Sequence, residues 1–487
     1  MISHSAKRSS ISQIIPILCT CVIISVILLI PLKIMGYGFL PLDDVLRHVA
    51  KAMSGRSWSD ILVLREGVTL DSHPGYHAVL SAIYNSTGWS SDTIVCVAIM
   101  TLFFVFCLIP VLSMKRPEAW LAALFAASLV NFPFIMRLFF GRPYMMTTIA
   151  IIAIFLLWGR LKDDKSSYKT AIIITALVAL STWMHCSWYL FILPIAAFLM
   201  ARQWRAAAAI SMCIAVGVVL GAVFTGHPVL FIKQNAVHAF LVFSNHVLPK
   251  TLAMELRPFT GDVLSVFAVI LMLLWIRSRG EWERKKIDNP AFIFAFTGWV
   301  LGFFVIRFWL DFGLPVLLVW AALEFEETLE RRVPADSLKR LFITALIAMI
   351  LFLNMTNDSN ERWSNNPSAE YLDVIEHDKS FLPEPGGIVY SDDMKAFFVT
   401  FFKYPHAPWR YLVGFEPSLM PQEDLIVFMN IQMSGANTAA FYPWIKKMKP
   451  ADRLIVTSKP DKEPAIPQLE WGYYGSGFWI GRLRKMQ

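Results

Sequence analysis

Apolar residues in this chain recur in blocks of roughly 16 to 22, the length an α-helix needs to cross the hydrocarbon core of a bilayer. In lipid a backbone must satisfy its own hydrogen bonds, so blocks of this kind commit the chain to a bundle of spanning helices. Eleven spans are read, at about 12–32, 93–113, 119–137, 143–159, 170–185, 187–201, 206–224, 262–277, 291–308, 313–325 and 340–355. Composition agrees: 56% of the 487 residues are hydrophobic and 16% are charged, against about a quarter charged in soluble domains.

Lys and Arg in short loops set the orientation. Lys7 and Arg8 precede the first span, and alternate loops then read "SMKRPE", "GRLKDDKSSYK", "ARQWR", "RSRGEWERKK" and "ERRVPADSLKR". These basic loops place the N-terminus in the cytoplasm, with residues 34–92 and the C-terminal region outside. They also account for most of the +8 net charge, so no nucleic-acid partner is needed to explain it. The six cysteines lie in or beside spans and none lies in the C-terminal region, so no disulfide framework is indicated.

The expected fold is therefore a multi-pass α-helical membrane domain over 1–355, with a small exterior α/β domain over 356–487. In the latter, "PSAEYLDVIEHDKSFL" and "MKAFFVTFFKYP" read as helices and "GGIVYSDD" and "DRLIVTS" as short strands. "LEWGYYGSGFWIGRLRK" reads as a hairpin about Gly475-Ser476-Gly477. Within 34–92, "DDVLRHVAKAM" and "PGYHAVLSAIYN" have helical apolar spacing. Both are expected as juxtamembrane helices lying along the membrane surface, as is part of 225–261.

Three constellations could carry chemistry. Asp43-Asp44 opens the first juxtamembrane helix, as an N-cap, as a catalytic base held at the membrane face, or as both. His73, before Pro74, and His77 lie at the start of the second, where free N–H groups and the helix dipole suit an anion. Cations also recur on the exterior side, where positive charge is less expected: Arg137, Arg142, Lys250, Arg257 and Arg307, the last four residues before Asp311 and able to pair with it. His185 is expected as a hydrogen-bonded turn residue. No Walker loop, dinucleotide fingerprint, Cys/His metal spacing or GxSxG elbow occurs, so nucleotide-driven cytoplasmic chemistry has no support.

The order of one span, an acidic pair opening a helix, a basic-Pro-x-aromatic segment opening another, and then many spans resembles the GT-C superfamily of membrane glycosyltransferases. The stretches "DDVLRH" and "SHPGYHAVL" are most similar to those of protein O-mannosyltransferases and lipid A aminoarabinose transferases. Asp44 stands where that group usually has Glu, Arg47 is shifted by one position, and Gly75 replaces a second Pro. The resemblance implies an inverting enzyme with a polyprenyl-phosphate sugar donor and a lipid, glycan or protein acceptor. It implies Asp43 as general base, and Asp44 as its orienting partner, the two holding a divalent cation if one is used. His73, Arg137, Arg142, Lys250 and Arg257 are implied as donor-phosphate ligands. The compact loops point to a bacterial inner membrane. The competing readings are a flippase of lipid-linked glycans, a glycan ligase, and a non-catalytic subunit of an envelope glycan assembly machine.

Overall fold

The computed structural model describes residues 4–68, 71–162, 167–244, 257–258, 261–280, 286–365, 379–458, 462–473 and 478–484. The chain divides into two compact units. The first comprises Met1–Tyr37, Ile99–Gly226 and Glu255–Arg362; the second comprises Gly38–Ala98, His227–Met254 and Trp363–Gln487.

The first unit is helical. Among the described residues of the whole chain, seven helices are long and apolar enough to cross a membrane, and four shorter apolar helices occupy Glu118–Val130, Trp188–Met200, Val263–Ser278 and Pro290–Gly302. Together they stand at the positions read as spans. The chain is a membrane protein. Helix α1 (His4–Met35) packs along the helix Leu338–Thr356. The helices Ser167–Met184 and Trp204–Val223 cross at Gly217 and Gly221. A Cβ at Gly217 would meet the Thr175 carbonyl and Val178 Cβ at 2.8 Å, and one at Gly221 would strike the Ala179 carbonyl. Lipid offers no hydrophobic force between helices, so close backbone approach through small residues four apart is what holds this pair. Buried charge is paired: Arg340 grips Glu118 through Nε (2.8 Å) and Nη2 (3.0 Å).

One helix is irregular. The segment Phe308–Gly313 winds as a π-helix before the helix Leu314–Arg332 begins. Gly313 lies against Gly298, where a Cβ on Gly298 would come within 2.8 Å of the Gly313 Cα. The wide π turn is a form concentrated at functional sites, and it carries Asp311.

The second unit is built on a five-stranded sheet. Its strands are β1 (Ile388–Ser391), β2 (Arg410–Tyr411), β3 (Arg453–Thr457), β4 (Leu469–Tyr473) and β5 (Phe478–Leu483), in the order β2-β1-β3-β5-β4. β1 is parallel to β2 and β3, while β5 is antiparallel to β3 and β4. The parallel connections run through helices, as they must: Met394–Lys403 links β1 to β2, and Gln422–Met433 and Tyr442–Lys447 link β2 to β3. The core holds Tyr390, Phe428, Trp444, Leu454 and Leu469, with the Trp444 indole donating to Asp424 Oδ1 (2.9 Å). β1, β3, the β4–β5 pair and the helix at 394–403 follow the sequence reading, which does not mark β2 or the helices at 422–433 and 442–447. The hairpin turn at 475–477 and most of the helix expected at 367–382 lie outside the described residues.

The segment 38–98 joins this sheet. Val63 N–H donates to the Tyr411 carbonyl (2.9 Å) and Arg65 N–H to that of Leu419 (2.8 Å). Helix α2 (Val45–Ser54) packs on α4 (Pro74–Thr87) and on the helix Met394–Lys403. This corrects the expectation of a surface helix. Arg47 and His48, on the polar side of α2, are buried, at 3% and 0% exposure. The polar side turns inward because α4 and the loop before it supply polar partners. Helix Pro228–Ser244 also belongs to this unit: Asn235 accepts from Ser72 (3.0 Å), while Val229, Val237 and Phe240 are exposed.

Candidate active site

In the second unit the polar residues of 43–77 gather into one cluster. Asp44 occupies the N-cap position of α2 without making a side-chain cap bond. Its carboxylate is instead clasped by Arg47, through Nε to Oδ1 (2.7 Å) and Nη2 to Oδ2 (3.2 Å). This fork geometry fixes both position and charge. The Arg47 guanidinium lies over the Phe415 ring at 3.9 Å, and its Nη1 is buried with no hydrogen-bond partner among the described residues. Asp43 Oδ1 accepts the Asp44 N–H at 2.6 Å. Asp44 is thus held by a cation three residues on, and Asp43 touches the backbone at the start of the helix.

One turn further along α2, His48 Nδ1 is 2.8 Å from Nε2 of His77 on α4. His77 Nδ1 is bound to Asp71 Oδ2, and Asp71 Oδ1 accepts the His73 N–H at 2.9 Å. The His48 ring meets His73 (4.9 Å between centroids) and Tyr76 (5.1 Å) edge-on, and Trp58 covers His77 at 5.8 Å. Burial alone would raise the Asp71 carboxyl, but the His77 and His73 imidazoles outweigh it and hold it well below the usual carboxylate range. Burial pushes His77 below the ordinary imidazole value, with Arg47 and Lys51 adding to it and Asp71 opposing. Burial likewise lowers Lys51. The Tyr76 phenol is pushed up, first by burial and then by the charge of Asp44.

In the first unit Arg137 and Arg307 meet on Asp311. Arg137 binds it through Nε and Nη2, the latter at 2.7 Å to Oδ2, and Arg307 Nε donates to Oδ2 at 3.1 Å. The Tyr144 ring lies 5.3 Å from one guanidinium and 5.6 Å from the other. Asp311 thus draws two guanidiniums together in a membrane-spanning unit, where ionisable groups are costly. The cluster is braced from nearby. Asn131 caps the helix Phe132–Leu138, accepting from Phe134 N–H (2.9 Å), and also binds Asp262. Asp262 in turn accepts from the Trp309 indole (3.1 Å).

Of the residues singled out in the sequence, Asp43, Asp44, His73 and His77 share the first cluster, and Arg137, Arg307 and Asp311 the second. Arg142 is near the second, its guanidinium 5.6 Å from the Phe140 ring. Arg257 is exposed, its carbonyl accepting from Ile306 N–H (3.0 Å), and Lys250 lies outside the described residues. His185 binds Thr147 Oγ1 at 3.0 Å, as a turn residue should. Sequence reasoning passed over His48 and Asp71. Asp71-x-His73 and His73/His77, four apart at a helix start, was the signal that could have found Asp71. Among the described residues no group of three or more His, Cys, Asp or Glu stands in metal-binding geometry. Both Asp44 oxygens are engaged by Arg47, so the acidic pair is not laid out as the oxygen cage a hard cation takes.

No protein-family model matches the sequence, and a search of curated proteins finds no match. The chain is similar to a solved structure of the Archaeoglobus fulgidus oligosaccharyltransferase tethered to an acceptor peptide containing the NVT sequon. The TM-score is 0.53 at 11% identity, over 93% of this chain and 69% of that one. The two share a fold, and it is the GT-C-like fold with spanning helices and a small C-terminal sheet domain.

Proposed function

We propose that this protein is a glycosyltransferase that moves a sugar from a polyprenyl-phosphate carrier to a lipid, glycan or protein acceptor on the exterior face of a bacterial inner membrane. The observation that carries the reading is the acidic pair, with Asp44 clasped by buried Arg47 and Asp43 set beside it at a helix start, on a fold shared with an oligosaccharyltransferase. In this reading Asp43 takes the proton of the attacking hydroxyl or amine. The acceptor atom bonds to the anomeric carbon as the carbon–oxygen bond to phosphate breaks, and that electron pair leaves with the phosphate. A single displacement of this kind inverts the anomeric carbon. Asp44, fixed by Arg47, orients the base. His73, Arg137, Arg142, Lys250 and Arg257 are the proposed phosphate ligands, as the resemblance implies. The deposit of an isoprenoid tail among spanning helices suits a donor that never enters water.

Deletion of the gene, followed by mass analysis of the envelope lipids, glycans and glycoproteins, tests this. A single sugar missing from one acceptor class, restored by the wild-type protein and not by Asp43→Asn, is expected. Accumulation of a complete lipid-linked glycan on the cytoplasmic side would instead identify a flippase. Restoration by Asp43→Asn would leave a non-catalytic role.

A further inference from the structure

The line Asp71–His77–His48, in which the two histidines are buried, has no part in the base and phosphate roles above. His48 follows Asp44 by one turn of α2, its N–H making the helix bond to the Asp44 carbonyl (3.2 Å), so the two side chains share a side of that helix. We propose that His48 and His77, anchored by Asp71, form a proton relay that takes up the proton released from the acceptor at the acidic pair. The proposal rests on the transferase reading.

The hydrogen bonds set the direction of the line. An ionised Asp71 requires the proton of His77 on Nδ1, so His77 Nε2 accepts and His48 Nδ1 donates, at 2.8 Å. Nε2 of His48 is then the basic nitrogen. A proton added there lets the Nδ1 proton of His48 pass to His77 Nε2, and the positive charge comes to rest on His77 against Asp71. An N–H bond forms at His48 Nε2 while the His48 Nδ1–H bond is exchanged for an Nε2–H bond on His77, so the pair gains one proton. The two histidines are buried, at 0% and 6% exposure, whereas the Asp71 carboxylate at the end of the line is only half-buried. Tyr76 neighbours both ends: its ring is edge-on to His48 and its hydroxyl lies in the field of Asp44.

The charged and titratable surroundings of the pair are Asp44, Arg47 and Lys51 from α2, Asp71 and His73 from the loop, and Tyr76 from α4, with Asp60 acting on Lys51. The remaining cover is aromatic: Trp58 over His77, Phe401 of the helix Met394–Lys403 against Trp58, and Phe415 under Arg47. Burial, with Lys51 and Arg47 adding to it, disfavours the charged form of His77, and Asp71 opposes them.

The test uses the full-length protein in nanodiscs, a panel of synthetic polyprenyl-phosphate hexoses and pentoses, and membranes of the deletion strain as acceptor. Transfer is expected to rise with pH as the relay loses its proton. His48→Asn keeps a donor where Nδ1 stood but cannot titrate. It should cut transfer by about a hundredfold and remove the acid limb of the pH profile. Asp71→Asn should lower the plateau and move the acid limb down by roughly one pH unit or more. NMR of isotope-labelled histidines should show the same downward move without any substrate. His48→Asn transferring at the wild-type rate with an unchanged profile would overturn the relay, as would histidine titration indifferent to Asp71→Asn. If Asp43→Asn is inactive while both relay variants match wild type, the relay alone fails. If wild type transfers no sugar from any donor in the panel, the transferase reading fails and the relay falls with it.

Discussion

A carboxylate withdrawn from water must have its charge answered close by, and four aspartates here meet that demand differently. Asp44 has Arg47, Asp71 has His77, and Asp311 has two arginines. Asp392, just past β1, has no cation against it among the described residues; it accepts from Thr457 N–H (3.0 Å) and Thr457 Oγ1 (3.2 Å). Burial therefore raises its carboxyl to about 6. A raised folded value means the contribution to stability is full below the unfolded value, near 3.9, and is lost as pH rises through about 6. Asp392→Asn should accordingly stabilise the second unit at pH 8, by about 1–3 kcal/mol, with the gain vanishing near pH 4; thermal melts at the two pH values check it. Asp311→Asn should act oppositely, since it leaves two guanidiniums facing one another. A loss of roughly 3–5 kcal/mol is expected, read as an earlier melt in detergent, and an unchanged melt would show that the arginines have other anions. Asp71 and His77 are both held below their ordinary values, so each favours the folded state above its unfolded pKa and that support is lost on acidification. At this scale the sequence was legible only over short range. Arg307 and Asp311, four apart, could be paired on paper. Arg137, 174 residues from Asp311 along the chain, could not, because nothing local marks a long-range partner.

At the scale of elements, membrane thickness makes spans readable: a lipid-facing helix must be long and apolar, so hydropathy alone locates it. Patterning misled at α2 for an equally physical reason. An amphipathic helix shows which residues share a side, but not whether the polar side meets water or other polar groups. Arg47 and His48 read as a surface and are buried against Phe415 and His77. The π turn at Phe308–Gly313 is illegible too, since one extra residue per turn leaves no mark on composition. The helix crossing at Gly217 and Gly221 was not read from the sequence, although its mark is there. Gly217 and Gly221, four apart in an apolar run, announce close approach, and the structure puts the Thr175 and Ala179 carbonyls against them. Gly221→Val should therefore force apart the helices Ser167–Met184 and Trp204–Val223 and cost about 1–3 kcal/mol, whereas Gly159→Ala, where a Cβ meets nothing within 4 Å, should not move the melt.

For the molecule as a whole, the sequence distinguishes a helical membrane region from a strand-bearing C-terminal region, because the two bury apolar surface against different media. What it hides is the partnership between segments far apart in the chain. Residues 38–98 add their backbone beside β2 of a sheet whose strands begin at Ile388, and helix Pro228–Ser244 joins the same unit. The acidic pair, the histidines and the sheet therefore belong to one body, and the second cluster of arginines to another. The assay that bears most directly on Asp43 uses purified protein in nanodiscs with a labelled polyprenyl-phosphate sugar and its acceptor. Wild type is expected to release free polyprenyl phosphate in step with a product of opposite anomeric configuration, while Asp43→Asn, melting at the wild-type temperature, releases none. Transfer at the wild-type rate by Asp43→Asn, or a product of retained configuration, would contradict the role assigned to that carboxylate.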